Sequence, residues 1–230
     1  VRAMILAAGR GERLRPLTDR VPKPLVEVGG TPLVVRAIER LRAAGITELV
    51  INLGWLGEQI RDRLGTGRSW GVEIAYSEEG EDTLETGGGI VKALPLLGPA
   101  PFWVLSADLL CDYAFPVRAL APGDLAHLLL VDNPVHHPGG DFDFEAGRIA
   151  PGRGERLTYA GVGLLHPDLF AGCPRKRFSY VPLLRRAARA GRVGAERYRG
   201  LWLDVGIAAR LAAARKAAGG TGPAHGPLMS

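Results

Sequence analysis

The sequence predicts an α/β fold built on a mostly parallel, doubly wound (Rossmann-like) sheet. Two observations carry that prediction. Short apolar runs alternate with amphipathic helical stripes along most of the chain, and the runs beginning at Ala3, Phe102 and Leu201 empty into a glycine or an aspartate. Strands are expected at Ala3–Ala8, Glu48–Leu53, Val72–Tyr76, Phe102–Ser106, Leu125–Val131, Leu157–Leu165 and Leu201–Val205, where apolar stretches have strand length. Helices are expected at Pro32–Ala44, Leu56–Leu64, Gly88–Leu96, Tyr180–Ala190 and Ile207–Ala217. Thr31-Pro32 reads as an N-cap followed by proline in the first helical position, and Gly45 as the stop. Residues rich in Gly, Pro, His and Asp between Asp132 and Arg156 read as a loop or hairpin insertion over a site. The whole is expected to be one domain over residues 1–218, followed by a flexible tail over 219–230.

Composition narrows the class. The longest apolar stretches are strand-sized, so no bilayer-spanning segment is expected. The chain enters a strand almost at once, which leaves no signal peptide in the sequence given. Cys111 and Cys173 lie far apart with no CxxC or Cys/His cluster, which fits a reducing cytoplasm and offers no zinc site. The net charge is +5, but no basic run or basic–aromatic stripe marks a nucleic-acid surface. A basic excess gathered around phosphorylated small molecules explains it. Only four of the 29 basic residues are lysines, and one of them, Lys23, stands between Pro22 and Pro24. In a chain so committed to arginine, that placement points to a need for a compact ammonium.

The chemistry concentrates first in residues 3–25. An apolar strand opens into Gly9-Arg10-Gly11-Glu12-Arg13, bringing bare backbone N–H groups to the carboxyl edge of a sheet. Such groups cradle phosphate oxygens, because nothing on a glycine blocks the approach. A dinucleotide fold fits poorly. Position 14 is leucine rather than the third glycine, and the strand at Glu48–Leu53 ends without an acid. No Walker A string occurs. Two further apolar strands end in carboxylates, Phe102–Ser106 in Asp108 and Leu201–Leu203 in Asp204. Two carboxylates meeting at one sheet edge with triphosphate oxygens form the usual site for Mg²⁺.

With these residues assembled, the chain resembles the sugar-1-phosphate nucleotidyltransferases, which join a nucleoside triphosphate to a sugar 1-phosphate and release pyrophosphate. Their LAAGxGxRLxPLT signature is matched from Leu6 to Thr18, and PKPL from Pro22 to Leu25. Further strings are Leu84 to Gly89, Val131 to Pro134 with His136-His137, Gly140-Asp141-Phe142, and Tyr198 to Gly206. They look most like the branch that transfers a uridylyl group from UTP to N-acetylmuramate 1-phosphate in peptidoglycan recycling. The resemblance implies the nucleotide-diphospho-sugar transferase type of sheet. It also implies that Ala8, Gly9, Gly11, Glu12 and Arg13 hold the triphosphate, with Lys23 neutralising the reacting phosphates. Asp108 and Asp204 become Mg²⁺ ligands, Thr86, Gly87 and Gly88 lie against the base, and Asp141 meets the amino sugar. Arg13 is expected to hold the leaving pyrophosphate, so that Lys23, Arg13 and Asp108 form the catalytic set. The family usually has Asn-Gly-Asp before the metal, whereas this chain has Ser106-Ala107-Asp108, which leaves Ser106 as a shorter nucleotide contact.

Several alternatives stay open at this point. The acceptor and base could be mannose 1-phosphate with GTP, or glucose 1-phosphate with UTP or dTTP. The chain could also be a non-catalytic nucleotide sensor on the same fold, although such proteins commonly lose the lysine or an aspartate and this one keeps both kinds. His136-His137 reads as a solvated or locally hydrogen-bonded pair, and Arg175-Lys176-Arg177 as either a carboxylate contact or a solvated run. The tryptophans read as packing. The oligomeric state is not fixed, and a monomer suffices.

Overall fold

The computed structural model describes residues 1–80 and 83–219. Glu81-Asp82 and the expected tail from residue 220 onward lie outside the described residues.

The centre of the molecule follows from the first apolar run. β1 (Ala3–Leu6) pairs in parallel with β4 (Glu48–Leu53) on one side and β6 (Phe102–Ser106) on the other, and β4 pairs with β5 (Glu73–Glu78). Strands covered on both faces read as continuous apolar runs, and β1 is of this kind. Ala3 and Ile5 point into one core cluster with α1 (Leu33–Ala43) and α2 (Gly57–Leu64). Met4 points into the opposite cluster with α3 (Glu85–Leu97) and α4 (Val181–Arg189). Helices therefore cover both faces, as the alternation predicts. Leu6 lies level with Ser106, so the carboxyl ends of β1 and β6 share one edge.

Beyond β6 the sheet is mixed. β11 (Glu155–Leu165) runs antiparallel to both β6 and β8 (Ala126–Val131), and β8 pairs in parallel with β12 (Val193–Tyr198). The hairpin of β9 (Phe142–Glu145) and β10 (Arg148–Ile149) follows β12, and β9 folds back onto the start of β11. Within this nine-stranded sheet only β10 and β11 run against the others.

The structure corrects three local expectations. Thr31 does not cap α1. It pairs with Val28 in a hairpin of β2 (Glu27–Val28) and β3 (Thr31–Pro32), turned by Gly29 and Gly30, both at positive φ. Two residues of that conformation match the twist of paired strands. The first helical N–H, on Leu33, is met by the Val26 carbonyl at 3.1 Å instead of by a side chain. The strand ending in Asp204 is not part of the main sheet. β13 (Trp202–Asp204) pairs antiparallel with β7 (Leu109–Cys111) in a separate two-stranded ribbon. β12 is absent from the expectation because Glu196-Arg197-Tyr198 dilutes its apolar start. Gly45 ends α1 as expected, with φ +76°. The terminal helix α5 (Ala208–Gly219) contributes Leu211 and Ala214 to a third cluster with Leu14, Val26, Val28 and Leu110, beneath the glycine loop.

Candidate active site

The loop after β1 is held open by its neighbours. The Ala7 N–H donates to Asn52 Oδ1 at 2.7 Å, and the Thr18 hydroxyl donates to the Gly11 carbonyl at 2.8 Å. Gly11 sits at φ +65°, and a Cβ there would stand 3.0 Å from Thr18 Cγ2 and 3.2 Å from Lys23 Cβ. A side chain is thus excluded both by conformation and by space. Gly9 has nothing within 4 Å of such a Cβ, so its face opens onto empty volume. That volume is a cavity of about 680 Å³, whose walls include Ala8 to Arg13, Lys23, Thr86, Ser106 and Asp108.

Lys23 enters from the short turn Lys23–Leu25, stiffened by Pro22 and Pro24. Its side chain is largely buried and its ammonium is paired with the Asp108 carboxylate. Asp108 follows β6, whose end is tied to β1 by the Ala107 N–H and the Leu6 carbonyl at 3.0 Å. The ribbon of β7 and β13 brings Asp204 level with Leu109, and the Val205 N–H donates to the Asp108 carbonyl at 2.8 Å. Residues almost a hundred positions apart thereby share a second cavity of about 410 Å³. It meets the first along Arg13, Ser106 and Asp108, which line both. Two adjoining chambers with cations and carboxylates at their junction suit two phosphorylated partners.

Asp108 and Asp204 could hold a divalent cation. Among the described residues no group of three or more His, Cys, Asp or Glu is spaced to enclose one. Two carboxylates that leave most of the shell to phosphate oxygens and water are nonetheless what Mg²⁺ accepts. Asp204 is meanwhile held by Arg210 at 3.2 Å, with His136 Nε2 at 3.5 Å.

Other expected residues are distributed unevenly. Thr86 reaches the first cavity, and its hydroxyl accepts from the Tyr180 N–H at 3.4 Å. Gly87 and Gly88 stand behind the wall in the first turn of α3, their N–H groups both given to the Phe178 carbonyl, at 2.8 and 3.2 Å. A Cβ on Gly88 would lie 2.2 Å from the Lys176 carbonyl, so this glycine permits close packing of the 176–178 segment. Asp141 accepts from the Tyr159 N–H at 2.9 Å, and His137 Nε2 lies 3.1 Å from its other oxygen. The second cavity reaches His137 and Tyr159 beside it. Tyr159 and Tyr180 join through their hydroxyls at 2.8 Å. Burial keeps both protonated, pushing Tyr180 up to about 12.

Sequence reasoning passed over Glu79 and Asn52. Asn52 fixes the start of the loop and also donates to Glu79 Oε1 at 2.7 Å, while Glu79 Oε2 accepts from the Leu84 N–H at 2.7 Å. Its signal was a polar residue near the end of an otherwise apolar strand. The histidines make local contacts, as one of their two readings has it: His136 adjoins Asp204 and His137 adjoins Asp141. Of the basic run, Arg177 lines the first cavity and pairs with Glu85 at 3.0 Å.

Residues 2–121 match the family described as Nucleotidyl transferase. The chain is 48% identical over 228 residues to an N-acetylmuramate alpha-1-phosphate uridylyltransferase of Neisseria meningitidis serogroup B, covering 95% of this chain and 99% of that one. A Caulobacter vibrioides protein of the same name is 36% identical over 225 residues, covering 89% of this chain and 91% of that one. A solved Bacillus anthracis structure, assigned as a glucose-1-phosphate thymidylyltransferase in complex with sucrose, superposes with a TM-score of 0.83. It covers 98% of each chain at 20% identity, a likeness of fold alone. The family match and the relatives covered over most of their length together show that the chain belongs to the nucleotidyl transferase family, among its sugar-1-phosphate nucleotidyltransferases.

Proposed function

We propose that the chain transfers the uridylyl group of UTP to N-acetylmuramate 1-phosphate, giving UDP-N-acetylmuramate and pyrophosphate, as a cytoplasmic step of peptidoglycan recycling. The observation that carries this reading is the 48% identity to a uridylyltransferase of that specificity along nearly the whole of both chains. The two adjoining cavities support it, because the reaction needs two phosphorylated anions side by side.

A phosphate oxygen of the sugar 1-phosphate attacks the α-phosphorus of UTP in line. The new P–O bond forms as the bond from the α-phosphorus to the bridging oxygen of the β-phosphate breaks, and pyrophosphate leaves with that electron pair. The attacking oxygen is already anionic, so no base is required. The protein's work is therefore positioning and charge neutralisation. The open amides around Gly9 and Gly11 receive the triphosphate. Lys23, released from Asp108, meets the charge that builds on the α-phosphate. Ser106 stands where the two substrates meet, and Asp141 is set by Tyr159 and His137 to take the amino sugar. Mg²⁺ on Asp108 and Asp204 would supply further neutralisation of the phosphates when bound. All these residues come from one chain, so a monomer is sufficient.

Pyrophosphate release from UTP, GTP, dTTP and ATP crossed with N-acetylmuramate, mannose and glucose 1-phosphates tests the proposal. UTP with N-acetylmuramate 1-phosphate is expected to give the highest kcat/KM. A preference for mannose 1-phosphate with GTP would overturn the substrate assignment. Nucleotide binding without transfer from any pair would favour a sensor.

A further inference from the structure

Arg10 and Arg13 rise from the same glycine loop, yet they face different places. Arg13 lines both cavities, and its guanidinium lies close to Gly206, two residues beyond Asp204. Arg10 lines the first cavity only. Its guanidinium carbon lies 4.3 Å from the centre of the Trp55 ring, and Trp55 is not part of the cavity wall. The ring therefore backs the cation from outside the chamber. Trp55 is itself fixed to the loop, since its indole N–H donates to the Thr18 carbonyl at 2.9 Å and the Thr18 hydroxyl donates to Gly11. Of the carboxylates lining the same cavity, Asp108 is paired with Lys23, Glu85 with Arg177 at 3.0 Å, and Glu79 accepts from Asn52 and the Leu84 N–H, while Glu12 in the same loop makes no ion pair with it. Among the described residues Arg10 has no acidic partner. A guanidinium held over an aromatic face at a cavity wall, without a counter-ion, is arranged to receive an anion.

We infer that Arg10, positioned by Trp55, joins Arg13 in binding the pyrophosphate end of the triphosphate. This rests on the nucleotidyl transfer proposed above and divides between two arginines a role expected of Arg13 alone. The leaving group is the β- and γ-phosphates, whereas the nucleotide sugar retains only the α-phosphate. Arg10 should therefore distinguish the two products.

The test is the reverse reaction of the full chain, with pyrophosphate and UDP-N-acetylmuramate varied separately in R10A, W55A and W55F. R10A is expected to raise the KM for pyrophosphate about tenfold, as for loss of one charge-assisted contact. The KM for the nucleotide sugar should stay unchanged. W55A should show the same selective loss to a smaller degree. W55F, which keeps a ring face but no indole N–H, should restore most of it. An R10A enzyme with wild-type affinity for pyrophosphate, or with equal losses for both products, would overturn the inference. Arg10 is exposed, so its removal tests the idea even where a Trp55 variant folds badly. A wild-type chain that makes no nucleotide sugar would instead overturn the underlying function.

Discussion

On the parallel side of the sheet the glycine loop and the lysine come from one continuous run, Ala7 to Leu25, fastened at Asn52 and Thr18. On the mixed side the site is made from pieces. The loop carrying His136 and His137, the start of β11 at Tyr159, and the ribbon ending in Asp204 arrive from three separate stretches of chain. β11 also breaks its register against β8 between Tyr159 and Gly163, with Gly161 at φ +72°. That irregularity faces Ser106, since a Cβ on Gly161 would come within 3.0 Å of its hydroxyl oxygen. The difference teaches where each kind of recognition resides. On the proposed function, phosphate is met by backbone and a local cation, and the acceptor by side chains whose placement depends on long-range topology.

Mutations can break this comparison at either end, and the largest effect is expected on the parallel side. Lys23→Ala should lower kcat about a hundredfold or more with folding intact, in line with loss of one transition-state donor. A near-wild-type rate would remove the lysine from the chemistry. The next effect concerns stability on the mixed side. His127 lies within β8, where burial and, secondarily, Arg118 lower its pKa to about 4. The Arg118 guanidinium donates to its Nε2 at 2.5 Å, which requires the neutral ring. Because the unfolded chain binds this proton near pH 6.5 and the folded chain only near 4, stability should fall as pH drops through that window. The change is about 3 kcal/mol at full extent. Urea melts at pH 7 and pH 4.5 should show the slope, and His127→Gln, which cannot charge, should flatten it.

Smaller effects sharpen the boundary between the halves. Gly88→Ala forces a methyl against the Lys176 carbonyl and should destabilise the fold by about 1–3 kcal/mol, the usual penalty for overpacking. Thermal melts would measure it. If nucleotide KM rises while stability holds, Gly88 contacts the base instead. Asp141→Asn should raise the KM for the sugar phosphate about tenfold, as for one lost charge-assisted hydrogen bond, with the KM for UTP unchanged. A matched rise in both would erase the distinction drawn between the two sides.

The same contrast explains what could be read from residues alone. Burial on both faces leaves an uninterrupted apolar signal, so β1, β4 and β6 were legible nearly to the residue, as was the loop whose glycines announce it. The β9–β10 hairpin falls within the insertion expected between Asp132 and Arg156. β12 was not legible, because its polar residues pair with a distant strand rather than forming a local pattern. Asp108 and Asp204 could be paired only as two strand ends. That they meet through a separate ribbon is a fact of topology. The Thr31 expectation failed for a similar reason, since a two-glycine hairpin took the backbone before a cap could form.

The third core cluster carries a consequence for the rigidity of the glycine loop. The loop lies near residue 10, but the apolar floor beneath Leu14 includes Val205, Leu211 and Ala214, almost two hundred residues further along. Loosening α5 would therefore strip support from a phosphate-facing turn that, among the described residues, it never touches through a polar group.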